Sequence, residues 1–137
     1  MRVFVSPEGT TRAITVTKNI YMGGTWIFNA HLWDTAKAES FFEIGWVDLS
    51  SVFGVPDHVS GLPWSLCARV VGDRLTFVAW PGVGTRPAWG DGRYGRSVVL
   101  PPGWTYPGAA GWYIGHLKTG GSTTFTNLAA KPLARSP

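Results

Sequence analysis

The chain predicts an all-β fold in which two antiparallel sheets pack as a β-sandwich. Three observations carry that expectation. Residues 66–71 (LCARVV) and 75–80 (LTFVAW) are strand-like runs separated only by Gly72-Asp73-Arg74. A short Gly/Asp connection between β-rich runs is a strong hairpin signal. Further runs of alternating character recur at 11–18, 25–33 and 41–49, and eighteen glycines and ten prolines fall largely between the runs. Short strands with frequent Gly/Pro turns suit a sandwich better than a helical or α/β domain.

Taken in order, residues 2–6 form a first strand that ends at the turn Pro7-Glu8-Gly9. In 11–18 (TRAITVTK), Ile14 and Val16 share a face and point to the core, opposite Ala13, Thr15 and Thr17. Gly23-Gly24 interrupts the chain before 25–33 (TWIFNAHLW). There Trp26, Phe28, Ala30 and Leu32 lie on one side, and Ile27, Asn29, His31 and Trp33 on the other. Residues 34–40 read as a loop or single turn with Asp34 at its start. The run 41–49 (FFEIGWVDL) is a strand whose alternation sets Phe42, Ile44 and Trp46 on one face and Glu43 and Gly45 on the other. Residues 50–63 are a long connection into the hairpin, and 81–95 a second, longer loop. A short strand at 97–100 and a strand pair at 112–117 and 123–128 complete the series.

At 137 residues the chain is read as one β-sandwich domain, 1–137, with 129–137 as an extended C-terminal tail. Eight tryptophans and 45% hydrophobic residues supply the apolar area for an ordered core. The charge of +4 comes from scattered arginines, without the dense basic patch that nucleic-acid binding uses, so no nucleic-acid partner is expected. The opening MRVFVSPEGTTR lacks the apolar run of a secretory signal, and no stretch reaches the roughly 18–20 apolar residues of a membrane helix. Synthesis in a cytoplasm and no membrane partner are the expectations. Cys67 is the single cysteine, so it has no internal disulfide partner and reads as a small buried hydrophobe.

The run VVGDRLTFVAWP, then PAWG, then GWYIGHL with TTFTNL near the end, resembles the concanavalin A-like lectin/glucanase superfamily in its laminin-G-like branch. The resemblance covers the second half of the chain through motifs and the first half through strand pattern alone. In such domains a Val-Gly-Asp-Leu-like hairpin precedes a glycine-rich aromatic strand, and a terminal strand closes the sandwich. Here that ending is Phe125-Thr126-Asn127-Leu128, with Thr126 where an acidic residue is common. The resemblance implies a concanavalin-like jelly roll. Combined with a composition typical of GC-rich genomes, it also implies a module of the kind carried on virion proteins of phages with actinobacterial hosts.

Catalytic residues are not expected. Hydrolases of the resembled superfamily carry a clustered Glu-x-Asp-x-x-Glu strand, whereas the eight acidic residues here are dispersed. A glycosidase needs two carboxylates on one cleft. Glu43 and Asp48 are separated by an odd number of residues, which in a regular strand points them to opposite faces. His31, His58 and His116 lack metal-ligand spacing, and Asp91 in Trp89-Gly90-Asp91-Gly92 is one carboxylate among glycines, too few oxygens for calcium. No metal and no cofactor are expected. Neither Gly-rich stretch sits between a strand and a helix as a phosphate-cradling loop does.

The candidate binding residues are the aromatic and basic side chains of the loops: Trp89, Tyr94, Trp104, Tyr106, Arg86 and Arg93. Aromatic planes stack on sugar rings, and Trp, Tyr and Arg anchor protein interfaces. The competing reading has Trp89 and Trp104 folded back as lids on the sandwich. The expected function is a non-enzymatic structural or attachment module of a virion surface, a capsid decoration or minor tail protein. It would dock on virion proteins as a homo-oligomer or part of an assembly. The alternative is a stand-alone lectin for a bacterial envelope glycan, and a divergent glycoside hydrolase ranks last.

Overall fold

A computed structural model describes residues 2–19, 26–54, 63–82, 84–115 and 117–132. The elements are β1 (Arg2–Val5), β2 (Thr11–Asn19), β3 (Ile27–Asp34), β4 (Phe41–Asp48), α1 (Ser50–Phe53), β5 (Trp64–Val71), β6 (Arg74–Pro81), β7 (Gly95–Val99) and β8 (Ala109–Ala110). They form a five-stranded sheet of order β4-β3-β2-β1-β8 and a three-stranded sheet of order β5-β6-β7. All pairings are antiparallel.

Alternation dictates the core. Ile14 on β2 and Phe28, Ala30 and Leu32 on β3 meet Leu75, Phe77 and Ala79 on β6 and Val98 on β7 in one buried cluster. Both sheets contribute one face to it, the arrangement that side chains alternating across a strand produce. Trp26 closes one end. Its ring lies 4.1 Å from that of Phe53 with the planes nearly parallel, while Phe28 meets Trp64 edge-on at 5.4 Å. The single-turn helix α1 exists to deliver Phe53 to that stack. Asp48 Oδ1 accepts from Ser50 N–H at its start, and Leu49 N–H donates to the Trp26 carbonyl. The long connection expected over 50–63 thus begins with a helical turn, and its residues 55–62 lie outside the described residues.

Two expectations are corrected. The first concerns β4. The register pairs Ala30 with Gly45 but His31 with Glu43, so Ile44 is an extra residue opposite the β3 ladder, a β-bulge. The bulge reverses the phase of the strand. Phe42, Ile44 and Val47 pack on the core, and Trp46 is turned to the outer face with Glu43. The expectation that Phe42, Ile44 and Trp46 share a side therefore fails at Trp46. Glu43 and Asp48 pair with His31 and Ile27, which share a face, so the two carboxylates share one as well.

The second correction concerns the C-terminus. Neither 112–117 nor 123–128 forms a strand among the described residues; His116 lies outside them. The two runs still approach each other, with Trp112 and Phe125 rings 6.3 Å apart and a turn closed by Gly121 N–H on the Lys118 carbonyl. β-Branched and aromatic residues favour strands only where a half-buried surface receives them. Here the side chains at 112–114, 117, 125 and 128 stay exposed, and only Ala109–Ala110 joins the sheet, at the β1 edge.

Candidate functional site

The outer face of the five-stranded sheet gathers the most chemistry. Three rows run across β2, β3 and β4. Ala13, Trp33 and Phe41 make the first; Thr15, His31 and Glu43 the second; Thr17, Asn29 and Trp46 the third. A polar row thus lies between two that carry large aromatics. Side chains directly opposite on one face stand roughly 4.5–5.5 Å apart at Cβ, close enough to interact.

The contacts follow from that register. Asn29 Nδ2 donates to Glu43 Oε2, and His31 Nε2 lies 3.8 Å from the same oxygen. Phe41 stacks on the His31 ring at 4.4 Å, and Trp33 Nε1 donates to Thr15 Oγ1 at 3.1 Å. Thr17 Oγ1 is hydrogen-bonded to the Tyr113 hydroxyl at 3.1 Å, tying the C-terminal segment to the same face. Thr15, Asn29 and His31 are buried beneath these aromatics, yet the rim is open: Phe41 is 46% and Trp46 49% exposed.

Burial pushes the His31 imidazole below its ordinary pKa, and the Glu43 carboxylate opposes that shift without cancelling it. His31 is therefore neutral at neutral pH. Asn29 Oδ1 and His31 Nδ1 are buried without a hydrogen-bond partner among the described residues. Each such atom costs on the order of 1–3 kcal/mol, so the cluster is held by its surroundings.

Glu43 and Asp48 do not make an acid/base pair in spite of sharing a face. They correspond to four strand positions on β3, roughly 13 Å at about 3.3 Å per residue. Inverting glycosidases hold their carboxyls about 6.5–9.5 Å apart, and retaining ones closer. Asp48 is in addition engaged at the start of α1. Among the described residues, no group of three or more His, Cys, Asp or Glu side chains converges as metal ligands do.

The six residues expected from sequence divide between two places. Arg86, Trp89, Arg93 and Tyr94 lie on the loop over the outer face of the three-stranded sheet. Two guanidinium groups lie over the Trp89 ring there, Arg69 at 4.5 Å and Arg86 at 4.4 Å, and Arg93 lies over Tyr94 at 5.4 Å. The loop is anchored by Trp80 Nε1 on the Gly84 carbonyl and by Ala79 N–H on that of Tyr94. Trp104 and Tyr106 sit elsewhere, at the edge of the core. Trp104 is only 3% exposed, and Arg12 lies over both rings at 4.2 and 5.0 Å while pairing with Asp34.

Alternation within one strand sets Asn29 and His31 on a common face, and only the β3–β4 register joins Glu43 and Trp46 to them. The available signal was Gly45, since an isolated glycine within a strand pattern points to a bulge or a close backbone approach.

No family model, curated protein or solved structure matches this chain. Chemically, the Glu43–Asn29 pair offers acceptors and a donor to hydroxyl groups, and Phe41 and Trp46 offer apolar planes on either side. Among the described residues, no helix is long and apolar enough to cross a membrane.

Proposed function

We propose that this chain is a non-enzymatic attachment module, a concanavalin-like sandwich of a virion surface, whose contact face is the outer side of the five-stranded sheet. The observation that carries the reading is the exposure of Phe41 and Trp46 on either side of the Glu43–Asn29 pair. Amphipathic planes flanking a small set of placed polar groups suit a glycan, whose rings have apolar faces and whose rims are hydroxyls. The strand scaffold fixes these groups in register, so little ordering accompanies binding. The virion setting is supported by the resemblance of residues 63–128 to phage-borne members of that superfamily and by the Arg-, Gly- and Trp-rich composition.

The test is calorimetric titration of the protein with bacterial envelope polysaccharides. Saturable binding that is lost in both Glu43→Gln and Trp46→Ala, with unfolding temperatures unchanged, is the expected result. Binding that survives both substitutions would remove this face from consideration.

Docking on partner proteins is the second reading, favoured by a separate observation. Trp112, Tyr113, Ile114, Leu117, Phe125 and Leu128 are all exposed on the C-terminal segment. Such a concentration of apolar area marks protein contact surfaces. Under this reading, purified particle proteins retain the wild-type chain and release the Ile114→Ser variant.

A further inference from the structure

We propose that the outer face of the three-stranded sheet carries a binding site for a tetrahedral oxyanion, a phosphate or sulfate group, seated between Arg69 and Arg74. The site is independent of the face assigned above, on the opposite sheet.

The register builds it. Arg69, Thr76 and Ser97 stand in one row across β5, β6 and β7, and Arg74 lies one row on, opposite Val71. Odd positions on β5 and even positions on β6 point away from the core, so the guanidinium and the two hydroxyls share the outer face. A cavity of about 320 Å³ opens there, lined by Arg69, Val71, Asp73, Arg74 and Thr76. That volume admits a tetrahedral anion with part of the group that carries it.

Three features make this more than two neighbouring cations. The Arg69 guanidinium lies over the Trp89 ring, its carbon 4.5 Å from the ring centroid, a contact that restrains its donors before a ligand arrives. Arg69 Nε is buried with no hydrogen-bond partner among the described residues, a donor in want of an acceptor. Thr76 Oγ1 and Ser97 Oγ are 3.0 Å apart. One of those hydroxyls donates to the other, which leaves the second O–H free to donate to an anion. Guanidinium plus hydroxyl is the donor set that suits phosphate and sulfate.

Asp73 lines the same cavity and acts against a free dianion. Its carboxylate accepts hydrogen bonds only, so it favours an ester whose carrier presents a hydroxyl on that side. This assigns a sign to its removal: Asp73→Asn strengthens the binding of the bare inorganic ion.

The experiment is an NMR titration of the ¹⁵N-labelled full chain with sodium phosphate and with sodium sulfate, each balanced with sodium chloride at constant ionic strength. The backbone amide resonances of Asp73, Arg74 and Thr76, which line the cavity, are followed in every variant. A saturable shift is expected, absent in Arg69→Gln, about tenfold weaker in Ser97→Ala for the loss of one charge-assisted hydrogen bond, and tighter in Asp73→Asn. Saturation by both anions assigns the site to tetrahedral oxyanions in general, and saturation by phosphate alone to phosphate esters. A shift that tracks chloride equally, or a saturable one that persists unchanged in Ser97→Ala and in Arg69→Gln, overturns the proposal. Should Arg69→Gln not fold, the exposed-side Ser97→Ala and Asp73→Asn variants decide the matter by their opposite signs.

Discussion

Gly45 and Val98 face each other where β4 and β7 approach, and a methyl group at position 45 would stand 2.6 Å from Val98 Cγ1. The contact joins the two sheets at the strand that also carries the bulge. Arg96 reinforces it from the same β7, donating from Nη1 to the Trp46 carbonyl at 2.6 Å.

Gly45→Ala is therefore expected to destabilise the fold by about 1–3 kcal/mol, the ordinary cost of overpacking a well-filled contact. Val98→Ala in the same chain relieves the clash, and the two changes are expected to couple favourably by about 1 kcal/mol. Urea unfolding of the single and double variants measures this. Gly95→Ala is expected to be far worse, because its methyl group would lie 1.9 Å from the Phe77 carbonyl oxygen, and backbone inside a sheet has nowhere to go.

His31 makes stability depend on pH. Its folded pKa lies below the ordinary 6.5, with burial the larger cause. Between the two values the unfolded chain binds more protons than the folded one, so stability rises with pH across that window. The contribution is fully present above about pH 6.5 and is lost as the pH falls toward the lowered value. Comparing wild type with His31→Gln isolates it from His58 and His116. In Glu43→Gln the one opposing influence is gone, and the His31 ring protons are expected to titrate at still lower pH by NMR.

Trp104 and Trp89 should respond differently to truncation. Trp104 is sealed in the core, and Trp104→Ala is expected to cost about 3–5 kcal/mol. Trp89→Ala removes two cation–π contacts of about 0.5–1 kcal/mol each, an expected loss of roughly 1–2 kcal/mol with the fold intact. Denaturant midpoints separate the two, and equal losses would mean that the loop carries core-like packing.

Burial pushes the Cys67 thiol above its ordinary pKa, and Arg86 pulls it back only in part. Because the thiolate is the reactive form, alkylation near neutral pH is expected to be slower than for a free cysteine. Arg86→Gln should slow it further. A faster reaction in that variant would show that Arg86 shields the sulfur rather than stabilising its anion.

Much of the fold was legible in the sequence, and the reasons are specific. The β5–β6 hairpin and the inward row Trp26, Phe28, Ala30 and Leu32 follow from alternation, because one buried face leaves no freedom of register. The bulge at Ile44 was not legible as such. Its effect depends on which residue of β3 each β4 residue meets, a relation between segments that neither segment contains. The C-terminal runs misled for the opposite reason: their residues suit strands, but no sheet surface underlies them. The candidate site inherits both limits. Half of it, Asn29 and His31, could be grouped from one strand, and the other half waited on the register. The loop aromatics look alike in sequence, since Gly and Pro surround all of them, yet Trp104 is core and Trp89 a loop ring under two arginines.

The extra residue at Ile44 gives β4 two opposite assignments within eight residues. Ahead of it even-numbered side chains point inward, and beyond it odd-numbered ones do. The bulge is what keeps the two halves in step with β3: were Ile44 forced into the ladder, Trp46 would turn into the core and Val47 out to the surface. Deleting Ile44 would instead leave both where they are, because plain alternation then runs through Glu43, Gly45, Trp46 and Val47, so the outer surface owes its make-up to one residue that pairs with nothing.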